Sequence, residues 1–260
     1  MNPKPALSTV ESQTQALTIP HRARLFYSAA ALMLLVLMLI GFQHFFLYGK
    51  AYPGRDIAPP IRILIILHGL SMSAWVMLFL IQPLLIVSRN HRIHRTVGKF
   101  GAALAACIFI LGLHTGIEAT RITPPDMVIW GLTAQQFMAV PIISIVIFAG
   151  YVTVGVWQRR RSEIHRPMLL LATLAAIPAA VSRIDAISTL YRGTVWETLF
   201  GPFFGTLIVG ALLLCGKWLL TRSLDRWFAI GYAVLVFLSA LIMQIAKTDA
   251  WDQFASFLLR

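Results

Sequence analysis

Two short stretches gather imidazoles and cations in an otherwise apolar chain of 260 residues. SRNHRIHRTVGKF (88–100) carries His91 and His94 among Arg89, Arg92, Arg95 and Lys99, and RRRSEIHRP (159–167) carries His165 behind three arginines. Each contains Ile-His-Arg, at 93–95 and 164–166, immediately before an apolar run. Twenty residues after His94 stands His114, and twenty after His165 stands Asp185, so the two copies predict polar groups at matching depths of two helices. A third set comprises His68, Gln82, Glu118 and Arg183, with His44 near the end of the first apolar run.

Three chemistries fit these residue types. A bis-imidazole haem b takes two histidines from different helices at one depth, which pairs His94 with His165 at one level and His68 with His114 at another. Zinc or another divalent cation takes three or four nitrogen and oxygen ligands. His68, His114 and Glu118 could supply them, with His44 as a fourth, in a site suited to water activation. A proton or substrate path would instead run through His68, His114, Glu118, Arg183, Asp185 and Gln82, because ionisable groups inside a membrane normally face the bundle interior. The bland alternative binds no cofactor: loop His-Arg pairs meet lipid phosphates, and intramembrane polar groups bond across helices.

The elements that must hold these residues are set by composition. Apolar residues make up 58% of the chain, charged residues only 12%, and the mean hydropathy is +0.76. Runs this long and this apolar mark an integral membrane protein of helices. The net charge of +12 falls in short clusters between the runs, so it reads as membrane topology and excludes nucleic acid as the partner. Cys107 and Cys215 both lie inside apolar runs, so neither a disulfide framework nor a thiolate metal site is expected.

Seven spans are predicted, at 25–47, 61–87, 100–120, 132–157, 167–190, 199–220 and 227–246, with GPFFG (201–205) interrupting the sixth. Residues 1–24 form a polar cytoplasmic segment with no cleavable signal, 25–246 the transmembrane domain, and 247–260 a tail. Trp251, Phe254 and Leu258 share one helical face in that tail, which suits an interfacial helix. Fourteen of the 22 lysines and arginines, but only three of the ten acidic residues, fall on the N-terminal side. That asymmetry predicts a cytoplasmic N-terminus and an outer C-terminus in a bacterial inner membrane. The two Ile-His-Arg copies make spans 2–3 and 4–5 a duplicated hairpin. His68 lies seven residues into its span, about 10 Å deep, and His114 is level with it from the far end of the next.

HGLSMSAWVMLFLIQPLL, HRIHRTVGKFGAAL and IHRPMLLLATLAAIPAAVSR resemble a family of bacterial multispan membrane proteins of uncharacterised activity. Its pattern is a His…Trp…Gln span, a His-Arg-x-x-Gly link and a later His-Arg-x-Met…Arg span. The resemblance covers roughly 60–190 and picks out His68, Trp75, Gln82, His94, Arg95, Gly98, His165, Arg166, Met168 and Arg183. It implies that His94 and His165, rather than His68 and His114, form the principal pair. The alternation of histidine-bearing helices is also similar to b-type membrane cytochromes, and the topology to seven-span zinc hydrolases, although span 7 lacks their His-x-x-x-His pair.

The leading expectation is a haem-binding or redox-linked protein, with His94 and His165 as ligands and His68 and Arg183 lining an outer site for a quinone, another small molecule or protons. A non-enzymatic transporter, sensor or assembly partner with a proton-coupled His/Arg/Asp network is the second, and a metal-dependent hydrolase the third. Whether the protein is an enzyme stays open at this point, as do its protein partners.

Overall fold

The computed structural model describes residues 21–52 and 55–260. The polar N-terminal segment 1–24 therefore lies outside the described residues, except for the helical backbone of its last four.

In hydrocarbon every backbone N–H and C=O needs an internal partner, so long apolar runs fold as helices. The chain forms α1 (His21–Gly41), α2 (Gln43–Tyr48), α3 (Arg62–Val87), α4 (His91–Arg121), α5 (Ala134–Phe137), α6 (Ala139–Trp157), α7 (Ser162–Ala176), α8 (Pro178–Val181), α9 (Asp185–Ser188), α10 (Val195–Phe200), α11 (Phe204–Thr221), α12 (Arg226–Ile245) and α13 (Asp249–Leu258). Two small antiparallel pairs, Lys50–Tyr52 with Arg55–Asp56 and Val128–Ile129 with Leu132–Thr133, sit in the links after α2 and α4. Side-chain caps start several helices. Asn90 accepts from the Ile93 N–H (3.4 Å), Thr133 and Gln136 form a capping box, and Asp225 accepts from the Phe228 N–H (3.0 Å).

The protein is an all-α helical bundle of membrane type. Among the described residues, five stretches are long and apolar enough to cross a bilayer: Pro59–Val87, His91–Arg121, Ala134–Trp157, Val195–Thr221 and Arg226–Ile245. The first and fifth expected spans differ from this pattern for local reasons. Over 25–47 the helix breaks after Gly41, leaving Leu25–Gly41 as a shorter apolar helix. A Cβ on Gly41 would run into the Ala180 backbone, so this glycine is what lets α1 meet α8 so closely. Over 167–190 the helix stops at Ala176, because Pro178 has no N–H to give and its ring opposes a carbonyl four residues earlier. Two single turns, α8 and α9, carry the chain onward. GPFFG interrupts the sixth apolar stretch as expected, with Gly201 at φ +49° opening a 3-10 turn before α11.

Helix α7 is the hub. It packs on α6 and α12 and touches α1, α3 and α11, and its residues from Leu170 to Ala175 are all buried. Phe148, Phe228, Leu34 and Ile108 complete the core around it. The α3–α4 and α6–α7 hairpins are the two most extensive helix pairs, each closed by a short link. Small residues let them close. Gly101 lies against Leu78 across α3–α4, and Gly155 lies against Leu169 across α6–α7. Helix α13 folds back onto α5: Gln135 Nε2 donates to the Asp252 carbonyl and to Ser256 Oγ (both 2.8 Å), and Trp251 Nε1 donates to the Gln135 carbonyl (3.1 Å). Trp251 is buried while Phe254 and Phe257 are exposed, which gives the amphipathic tail its outward apolar edge.

Candidate functional site

The 31 residues of α4 span about 46 Å at 1.5 Å each, longer than a hydrocarbon core of about 30 Å. Its first turns, where His94 stands among Arg92, Arg95 and Lys99, precede the apolar run that begins at Phe100. His165 occupies the corresponding first turn of α7, ahead of the apolar stretch that begins at Pro167. Both histidines line one cavity of about 290 Å³, bounded by α1, α3, α4, α6 and α7 at the end where the two His-Arg links lie. Gly98, Gly101 and Ala102 leave the space on the α4 side. Apolar side chains, with Trp75 and Phe79 among them, form most of the wall. Trp75 is fixed from behind, donating to Thr173 Oγ1 (3.2 Å) and standing edge-on to Phe148 at 5.0 Å.

The two imidazoles are held differently. His165 Nδ1 lies 2.8 Å from the Gly155 carbonyl, which can only accept. The proton therefore sits on Nδ1, and Nε2 keeps its lone pair. Gln82 sets the other ring. Turned so that its oxygen accepts from the Gly98 N–H (3.0 Å), its amide NH2 faces the His94 carbonyl (3.3 Å) and His94 Nδ1. The reverse orientation would set the amide oxygen against the His94 carbonyl and the NH2 against the Gly98 N–H, so these two contacts assign the amide. His94 Nδ1 then accepts, and its proton sits on Nε2. The pair consists of one acceptor and one donor.

Burial disfavours the charged form of both rings. Burial pushes His94 below the ordinary imidazole range, and neighbouring His165 pushes it the same way. Burial also lowers His165, against the opposing Gly155 hydrogen bond, and nearby Arg166 lowers it further. Arg159, Ser162 and Arg166 complete the polar side of the cavity.

Three groups escaped the sequence reading. Tyr27 of α1 lines the cavity and accepts from Lys217 Nζ at 2.5 Å. Lys217 is only 8% exposed and pairs with Asp225, the cap of α12. Lys217 and Asp225 pass in sequence for topology-setting loop charges. The available signal was a lone lysine three residues inside an apolar run, with one carboxylate eight positions on.

The residues at the opposite end are dispersed. His114 projects outward with 62% of its side chain exposed, 3.8 Å from Glu118, and Glu118 accepts from Arg121 at 2.5 Å. His68 is half-buried over Gly112, where an added Cβ would come within 3.4 Å of its Cε1, and its Nδ1 is buried with no hydrogen-bond partner. Arg183 donates to the Ala179 carbonyl and lies 4.8 Å from the centre of the Phe42 ring, whereas Asp185 is exposed at the start of α9. His44 packs beside Tyr48, 5.8 Å between ring centres. Among the described residues no three His, Cys, Asp or Glu side chains gather as a metal site, so the set His68, His114 and Glu118 is not assembled. No family model, curated protein or solved structure matches the chain.

Proposed function

We propose that the chain is a seven-span inner-membrane protein that holds a quinone-class ring in the cavity between His94 and His165, in a redox-linked role. In this reading α1 and the broken α7–α9 segment join the five long apolar helices as spans, and the cationic links put the N-terminus and the cavity on the cytoplasmic side. The observation that carries the ligand assignment is the complementary pair of imidazoles. A flat ring fits an apolar slot walled by Trp75 and Phe79, with one oxygen accepting from His94 Nε2–H and the other, as the hydroxyl of the reduced ring, donating to the His165 Nε2 lone pair. Haem b is the second reading. His165 is oriented as ligating histidines are, its Nδ1–H on a backbone carbonyl. His94 joins it as a ligand only if the Gln82 amide turns over.

The test is a titration of the purified full chain in nanodiscs with anaerobically reduced decylubiquinone, a short-chain ubiquinone analogue, followed by melting temperature. Ligand at about 100 times Kd adds about 2.7 kcal/mol to the stability of the folded state, and His165→Ala abolishes that shift. A Soret band in the isolated protein, lost in His165→Ala, transfers the site to haem. Absence of both the Soret band and the shift overturns both readings.

A further inference from the structure

The helix break after α7 adjoins a second, much smaller cavity. Pro178 has no N–H, so the carbonyl of Leu174, four residues earlier, loses the donor that a continuous helix would supply. Leu174, Ala175 and Pro178 border the cavity on one side, and Ser144 of α6, Thr206 of α11 and Ser239 of α12 border it on the others. About 10 Å³ of it is open to the centre of a water molecule, the room that one water takes. The three hydroxyls are not alike. Ser239 Oγ donates to the Leu235 carbonyl (2.8 Å), which leaves its oxygen to accept. Ser144 Oγ and Thr206 Oγ1 are shut off from solvent and have no hydrogen-bond partner among the described residues. A buried unpaired hydroxyl is costly, and here two of them, on different helices, border one cavity.

We infer that Ser144, Thr206, Ser239 and the Leu174 carbonyl bind one water molecule, which completes the hydrogen bonding at the Pro178 break. Donors and acceptors match. Ser144 and Thr206 each have a hydrogen to give to the water oxygen, and the two hydrogens of the water go to the Leu174 carbonyl and Ser239 Oγ. A metal cation suits the site less well: no carboxylate lines the cavity, so its charge would stand uncompensated away from solvent. In hydrocarbon a proline break is tolerated where side-chain hydroxyls and ordered water satisfy the freed backbone groups. The water does so here, and it ties α6, α11 and α12 to the end of α7. This site is independent of whatever occupies the cavity between His94 and His165.

The experiment is radiolytic footprinting of the full chain in nanodiscs, paired with melting temperature. X-ray radiolysis splits a bound water where it sits, and the hydroxyl radical oxidises the side chain beside it. Phe203 borders the cavity and is 4% exposed, so the bound water labels it in the wild type. Phe148 is fully buried and lines neither cavity, so it stays unlabelled. Thr206→Val keeps the side-chain shape and removes one partner of the water. Labelling of Phe203 then falls, and Tm drops by about 3 °C, the scale of one lost buried hydrogen bond in a chain of this size. Without the water, the same substitution trades a buried unpaired hydroxyl for a methyl and raises Tm or leaves it unchanged. Such a Tm, or a wild type unlabelled at Phe203, overturns the inference and leaves the reading of the His94–His165 cavity untouched.

Discussion

The two ends of the bundle hold similar inventories of polar residues and use them in opposite ways. At the end of the His-Arg links, His94, His165, Gln82, Arg166 and Tyr27 converge on one cavity, and Lys217 is buried against Asp225. At the other end His114, Glu118 and Arg121 form an exposed surface cluster, and His68, Arg183 and Asp185 go to separate places. The difference comes from which helices carry them. Apart from His94, whose helix α4 packs on α3 and α6, the first group rides on α7 itself or on helices that touch it, and α7 is the most buried helix. The second rides largely on outward faces or on the short turns that follow the Pro178 break. Polar residues at equal depth make a site only when their helix faces converge.

The sharpest way to break this contrast is through the two ion pairs. Lys217→Met leaves Asp225 half-buried without its cation, and removing one partner of a buried pair costs about 3 kcal/mol. Thermal unfolding of the variant in detergent is expected to show the largest drop in Tm of any substitution discussed here. Adding Asp225→Asn to Lys217→Met recovers most of that loss, since the stranded charge is gone. A Lys217→Met protein with the wild-type Tm would mean that the inner pair is no tighter than a surface pair.

Acid sharpens the comparison further. His94 and His165 have folded pKa values below the unfolded value of about 6.5. The folded state thus binds fewer protons than the unfolded chain, and stability falls as pH drops below about 6.5, levelling off only beneath the folded pKa values. The expected result is a lower Tm at pH 5.5 than at pH 7.5. His94→Gln with His165→Gln flattens that profile, because the groups that resist protonation are gone. A profile equally steep in the double variant would place the acid sensitivity elsewhere.

Much of this architecture was legible in the sequence, and the exceptions have identifiable physical causes. Apolar runs and polar links located the long helices, because a membrane span declares itself by length and composition. The repeated Ile-His-Arg marked the pair His94 and His165, and Gln82 was among the residues singled out. The continuity of the fifth apolar stretch was misjudged because Pro178 sits amid residues that hydropathy alone cannot tell from a helix. The outer layer was inferred from depth, which fixes height along a helix but not the direction a side chain takes around it. His114 and Glu118 share a face four residues apart, and that face points outward. Tyr27, Lys217 and Asp225 were invisible for a different reason: 190 residues separate Tyr27 from Lys217, and only the packing of α1 against α11 joins them.

The smallest effect belongs to the cluster of His114, Glu118 and Arg121. Glu118 accepts from Arg121 at 2.5 Å and lies 3.8 Å from His114, yet the arginine side chain is 40% exposed. Water competes for both charges there, and exposed pairs of this kind contribute about 0.5 kcal/mol or less. Glu118→Gln keeps the side-chain volume and one hydrogen-bond acceptor, so Tm in detergent should move by about one degree at most, given that scale and a chain of this size. Decylubiquinone binding should be unchanged, since Glu118 does not line the cavity. A loss comparable to that of Lys217→Met would show that the Glu118 carboxylate is structurally committed, and the contrast between the two ends would have to be redrawn around it.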